Sequence, residues 1–157
     1  MTSILTPFSG LLFSNKVHRI TYDNMYNLES NMFSFDPANI DKIQIEKLNN
    51  ILMYFSTTCR DHHLDEERKI FHNLSRLKEL SLYDLAMQIL EDHTWIEDKW
   101  CYIQQALENI IYGSQSCDLP TLKSKISIFI SKNIEHMHIE ESHWNNLFDS
   151  NINEITF

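Results

Sequence analysis

The 157-residue chain is short of the residues that make turns. It contains two glycines and three prolines, and its one valine is Val17. A β-sandwich needs a turn roughly every 8–12 residues, so these shortages disfavour that architecture and favour long helices. Positive charge is also scarce: 13 Lys and Arg face 22 Asp and Glu, for a formal net charge of −9. That balance argues against nucleic acid and anionic membrane as partners and welcomes a cationic ligand, a metal ion included. No apolar run approaches the ~18 residues of a membrane span. The apolar patch at 4–13 lacks the basic flank and small-residue cleavage site of a signal peptide. Cys59, Cys101 and Cys117 are odd in number and form no closely spaced pair. They read as reduced thiols of a cytoplasmic protein. The length suits one domain, 1–157, large enough to bury about 70% of its unfolded surface.

What the sequence has in quantity is helical period. A first helix is expected over 16–32, with His18, Tyr22, Met25 and either Leu28 or Met32 facing inward. Ser34-Phe35-Asp36-Pro37 then offers a loop, an N-cap aspartate and a proline for the first helical position. A second helix is expected over 38–74, bending or starting late around 41–49. A third opens at Ser81, with Asp84 three residues on in the manner of a capping box, and ends at Gly113. Its stripe is Leu82, Leu85, Ile89, His93, Ile96, Trp100, Ile103, Leu107 and Ile110. A fourth follows Asp118-Leu119-Pro120 and runs to about 148, with Leu122, Ile126, Phe129, Asn133, His136, Glu140, Trp144 and Leu147 on one face. Short connections imply an all-α, up-down-up-down four-helix bundle, preceded by an arm (1–16) and followed by a tail (149–157).

One stretch carries the chemistry. Residues 59–74 read CRDHHLDEERKIFHNL, in which His62 and Glu66 stand one helical turn apart, roughly 5–6 Å between Cβ atoms. Residues 134–148 repeat the device: His136 and Glu140 keep the spacing, and Glu141 repeats Glu67. A single copy reads as readily as a surface ion pair. Two copies on core stripes, with His93 on a third, favour a metal, since a buried imidazole and carboxylate are costly unless paired or coordinating. The candidate ligands are His18, His62, Glu66, His93, His136 and Glu140. The two glutamates would each bridge two ions and the histidines would cap them in pairs. Imidazole suits iron, copper, zinc or nickel, and carboxylate adds preference for harder ions. Glu97 and Tyr22 are candidates for an additional ligand or an outer group, against the plainer readings of a solvated helix residue and a core tyrosine. Asp92 reads as exposed or as orienting a ligand. His63, His72, His138 and His143 fall off the stripes and read as surface residues. Cys59 reads as core filler, and Trp95, Trp100 and Trp144 as core or rim.

These residues together resemble the hemerythrin family, specifically the bacterial hemerythrin-like domains with a His-His-Glu cation-binding signature. The resemblance rests on His18-Arg19-Ile20, on HHLDEERKIF at 62–71, EDHTWI at 91–96 and HMHIEE at 136–141, and on steps of 44, 31 and 43 residues between successive histidines. It implies a non-haem di-iron centre, two Fe2+ or Fe3+ ions with an oxo or hydroxo bridge. That centre would bind O2 or another small oxidant such as NO or peroxide. The implied role is oxygen binding or sensing, or a response to oxidative or nitrosative stress, with a redox or signalling protein as partner. An iron-handling or iron–sulfur-cluster repair protein, or an NO or peroxide reductase, is the alternative, so enzymatic activity stays open. Glu97 stands where the oxygen carriers have a fifth histidine. Those carriers also place an aspartate five residues after the fourth-helix histidine, where this chain has Glu141 preceded by Glu140. Both differences argue against a dedicated reversible oxygen carrier.

Overall fold

The computed structural model describes residues 13–113 and 117–148, with backbone only at Asn145 and Asn146. The tail at 149–157 and most of the arm at 1–16 lie outside the described residues. Every regular element among them is helical, and no helix among them is long and apolar enough to cross a membrane. Helix α1 (Lys16–Phe33) is capped by the Asn15 side chain, which accepts from the backbone N–H groups of Val17 and His18. Its buried face is His18, Thr21, Tyr22, Met25, Leu28 and Met32, the expected stripe with Thr21 added.

The second expected helix is broken into parts. Asp36 does cap a turn that has Pro37 in its first positions, but that turn is a short 3-10 segment, Pro37–Asn39. Helix α2 (Lys42–Tyr54) starts at a capping box, in which Asp41 accepts from the Gln44 N–H and Gln44 accepts from the Asp41 N–H. A π-turn, Phe55–Cys59, joins α2 to α3 (Arg60–Asn73). Local hydrogen bonds account for the loosened ladder. Thr57 Oγ1 donates to the Met53 carbonyl four residues back at 2.6 Å, competing for an acceptor of the helix. Ser56 Oγ donates to Gln104 and accepts from Trp100 Nε1.

Helix α4 (Leu80–Tyr112) begins after Glu79 rather than at Ser81. It ends as expected at Gly113, whose φ of 64° lies in the left-handed region, where a side chain is disfavoured. Asp118 caps α5 (Leu119–Ser142) through Thr121, with Pro120 in its first turn. The expected continuation to 148 fails. The backbone leaves the helix at His143 (φ −122°, ψ 14°), and a four-residue helix, α6 (Trp144–Leu147), follows. Leu147 and Phe148 join Ile70, Ala86 and Ile89 in a small apolar cluster, and Asn73 Nδ2 donates to the Leu147 carbonyl. A straight helix would not satisfy both.

Helix α1 packs on α2 and α5, and α4 packs on α5, α2 and α3. A larger apolar cluster, which includes Met25, Leu48, Phe55, Ile103 and Phe129, fills the space between them. Polar residues separate the two clusters. Along α3 they fall between Cys59 and Ile70, and along α4 His93 falls between Ile89 and Ile96. Phe129 is fully buried against the mutually packed rings of Phe55 and Trp100, with centroids at 5.5 and 5.6 Å. Phe129→Ala is expected to destabilise the protein by about 3–5 kcal/mol, while Ile128→Ala, one residue away and 56% exposed, stays within about 0.5 kcal/mol. Urea unfolding of the two variants checks this contrast.

Candidate metal centre

Helices α3 and α5 each bring one carboxylate into the polar layer, and each carries a histidine one turn earlier. Glu66 is 0% and Glu140 1% exposed. Around them lie two groups of four side chains whose donor atoms are all within 4.8 Å of one another: His18, His62, Glu66 and Glu140, and Glu66, His93, His136 and Glu140. Both carboxylates belong to both groups. The histidines approach through Nε2. His62 lies 2.8 Å from Glu66 and His136 2.9 Å from Glu140. His18 is 3.1 Å from Glu140 and 3.8 Å from Glu66, and His93 is 3.2 Å from Glu140 and 3.4 Å from Glu66.

Despite these distances, Nε2 of His18, His62 and His136 and both Glu66 oxygens are buried without an aligned hydrogen bond. Polar atoms converging on one another without sharing hydrogens suit a donor set around a cation. Buried polar groups otherwise find partners.

A second ring of carboxylates faces the far nitrogens. Glu141 meets His18 Nδ1 and Glu67 meets His93 Nδ1, each at 3.1 Å, and Asp92 lies 3.4 Å from His136 Nδ1. A carboxylate only accepts, so at His18 and His93 the hydrogen sits on Nδ1 and the Nε2 lone pair is left for a ligand, whereas the Asp92–His136 contact is not aligned as a hydrogen bond. Glu141 also accepts the backbone N–H groups of Ser14 and Asn15, tying the start of α1 to the end of α5. Lys132 holds Asp92 at 2.9 Å.

In the metal-free protein the charges settle one another. Burial works against charge on His18 and His93, but Glu140 and Glu66 beside them outweigh it and push each up to about 10. Burial and the neighbouring Glu140 work against ionising Glu66, yet His18, His62 and His93 hold it down at about 2. Glu140 lies well below the usual carboxylate range, because His136, His18 and His93 outweigh its burial.

The structure thus brings His18, His62, Glu66, His93, His136 and Glu140 to one locus. Tyr22 is buried against Phe13 in the larger apolar cluster and is not among these donor groups. Glu97 is half-buried on the wall of a neighbouring cavity, also outside the donor groups. Asp92, at 6% exposure, is buried beside Lys132 and His136 rather than solvated. The reading of His63 as a surface residue is wrong: it is 5% exposed and stacks on His93 with centroids 4.1 Å apart. Successive residues on an α-helix point about 100° apart, and here His62 turns toward His18 while His63 turns toward His93. Four-residue spacing from Cys59 would have found His63, because Cys59, His63, Glu66 and Ile70 form the buried face.

These shifts predict the pH profile of the metal-free protein. The stabilising contribution of Glu66 is complete above about 4.5 and is lost as pH falls toward 2. Burial keeps His63 neutral, so its contribution starts to be lost as pH drops below 6.5. His18 and His93 act in the opposite sense, contributing fully below 6.5 and losing that contribution as pH rises to about 10. Tm should therefore peak near pH 6.5 and fall on both sides; a Tm that rises steadily from there to pH 10 contradicts the assignment. The chain matches no protein-family model, no curated protein and no solved structure.

Proposed function

We propose that this chain is a hemerythrin-like, up-down-up-down four-helix protein that holds two iron ions and binds a small oxidant such as O2, NO or peroxide. One observation carries the reading: two four-donor groups share the same two buried carboxylates. Two separate mononuclear sites have no need of shared ligands, whereas carboxylate-bridged pairs in helical bundles are built that way. The mixed imidazole and carboxylate donors suit iron. His18 and His62 would hold one ion, His93 and His136 the other, with Glu66 and Glu140 spanning both. When bound, the iron pair would supply electrons and open coordination positions for a diatomic or peroxide.

The chain's own residues supply the setting. Glu141 and Glu67 fix the tautomers of His18 and His93 and raise the basicity of their ligating nitrogens, and Asp92 adds a negative charge beside His136. They also bring the nearby carboxylates to five, against the four positive charges of two ferrous ions. Phe55, Ile89, Ile96 and Phe129, each no more than 4% exposed, offer apolar surface beside the polar layer that suits a small apolar gas.

Anaerobic loading with ferrous iron should give two ions per chain by elemental analysis. Subsequent exposure to air should produce a near-ultraviolet ligand-to-iron charge-transfer band. Glu66→Ala and Glu140→Ala should each lose both ions, because each removes a ligand common to both positions. Retention of two ions by either variant sinks the bridged arrangement. Glu67→Gln should keep the His93 contact in weakened form and lower affinity about 10–100-fold, measured by competition with a chelator.

A further inference from the structure

His63 has no role in the six-residue set, yet its surroundings are those of a ligand. A ring nitrogen of His63 lies within 4.8 Å of the donor atoms of both His93 and His136, and all three side chains are buried. Its Nδ1 is buried and has no hydrogen-bond partner among the described residues. Its Nε2 meets only the Cys59 sulfur, at 3.9 Å, a long contact with a weak partner. An imidazole serving only as packing would bury one nitrogen unpartnered, an arrangement that costs stability without return. The ring does stack on His93, at an interplanar angle of 14°, but a phenyl group would stack equally well and bury no polar atom.

We propose that His63 is a further metal ligand, joining His93 and His136 on one ion and making the two positions of the pair unequal. The proposal rests on the dinuclear reading above. His63, His93 and His136 form a group of three buried imidazoles, against the two histidines of the His18 and His62 position, so the first would fill first and more tightly. The π-turn at Phe55–Cys59 immediately precedes the turn of α3 that carries the two adjacent histidines, and such turns recur at functional sites. On its other side His63 forms part of the wall of a cavity of about 390 Å³, shared with Phe55, Cys59, Glu97 and Trp100. A truncated side chain would thus leave space that a free imidazole can reach from that cavity.

The test is stepwise loading of the full chain with Co2+ as a spectroscopic probe and with Fe2+ under argon, followed by calorimetry and visible absorption. Wild type should load two ions in two distinguishable steps. His63→Phe, which keeps the stack, should retain the wild-type far-ultraviolet circular dichroism. Its tighter step should weaken at least about tenfold, so that the two steps merge or one disappears. His63→Ala should behave alike and recover its lost step in millimolar imidazole, whereas His63→Phe should not, because the ring fills the space. His72→Phe, on the exposed side of the same helix, is the control and should load as wild type does. Wild-type loading by His63→Phe overturns the proposal and leaves the dinuclear reading standing. Fewer than two ions in the wild type overturns both. If His63→Ala does not fold, the phenylalanine variant decides the question alone.

Discussion

Two carboxylates buried against one another are the constraint on which the rest depends. Glu66 and Glu140 together have almost no exposure, and like charges in a low-dielectric interior are not both ionised without counter-charge. The chain answers with concentric layers. Imidazoles from α1, α3, α4 and α5 surround the carboxylates, and Glu141, Glu67 and Asp92 face three of those imidazoles from behind. The same cage would accept positive charge in two forms: as protons on His18 and His93, whose carboxylate neighbours favour the charged imidazole, or, in the proposed loaded state, as ions that take the place of those protons, since ligands must be deprotonated. A site that protons can neutralise does not make folding depend on metal, unlike small zinc domains that are unfolded without their ion.

The π-turn is the second constraint. The hydrophobic face of α2, through Leu48, Ile51, Leu52 and Phe55, has to serve the larger cluster, while α3 has to aim His62, His63 and Glu66 into the polar layer. The π-turn lies between the two stretches, and Thr57 and Ser56 hold its geometry with hydrogen bonds to Met53, Gln104 and Trp100. Polar side chains at the helix interruption thus anchor the point from which the histidine-bearing α3 departs.

The parts legible in the sequence are those where periodicity and caps agree. The span and inward face of α1, the α4 stripe from Ile89 to Ile110 with its end at Gly113, and the Asp118 start of α5 follow from local signals, while the first turns of α4 bury Ala86 and leave Leu82 and Leu85 half-buried. Doubling of the His-x-x-x-Glu device pointed to the residues that share the polar layer. Two features were hidden for different physical reasons. The break at His143 has no glycine or proline to mark it; tertiary contacts of Leu147 and Phe148 impose it. His63 is hidden because a stripe through Cys59 continues three or four residues on, to His62 or His63, and periodicity alone does not choose between them; the buried face takes the four-residue step.

The outer carboxylates have a consequence beyond orienting the ligands. Glu141 and Glu67 are 15% and 28% exposed, so each touches both solvent and a buried imidazole. A cation at the centre would take the Nε2 lone pairs of His18 and His93, while Glu141 and Glu67 keep the Nδ1 hydrogens of the same rings and balance the added charge from the rim. A buried site that would hold several positive charges thus calls for acids at its rim as well as at its centre, which is the place of the second glutamate in each Glu-Glu pair. Glu66 and Glu140 face the interior, and Glu67 and Glu141 link the histidines of other helices to the surface.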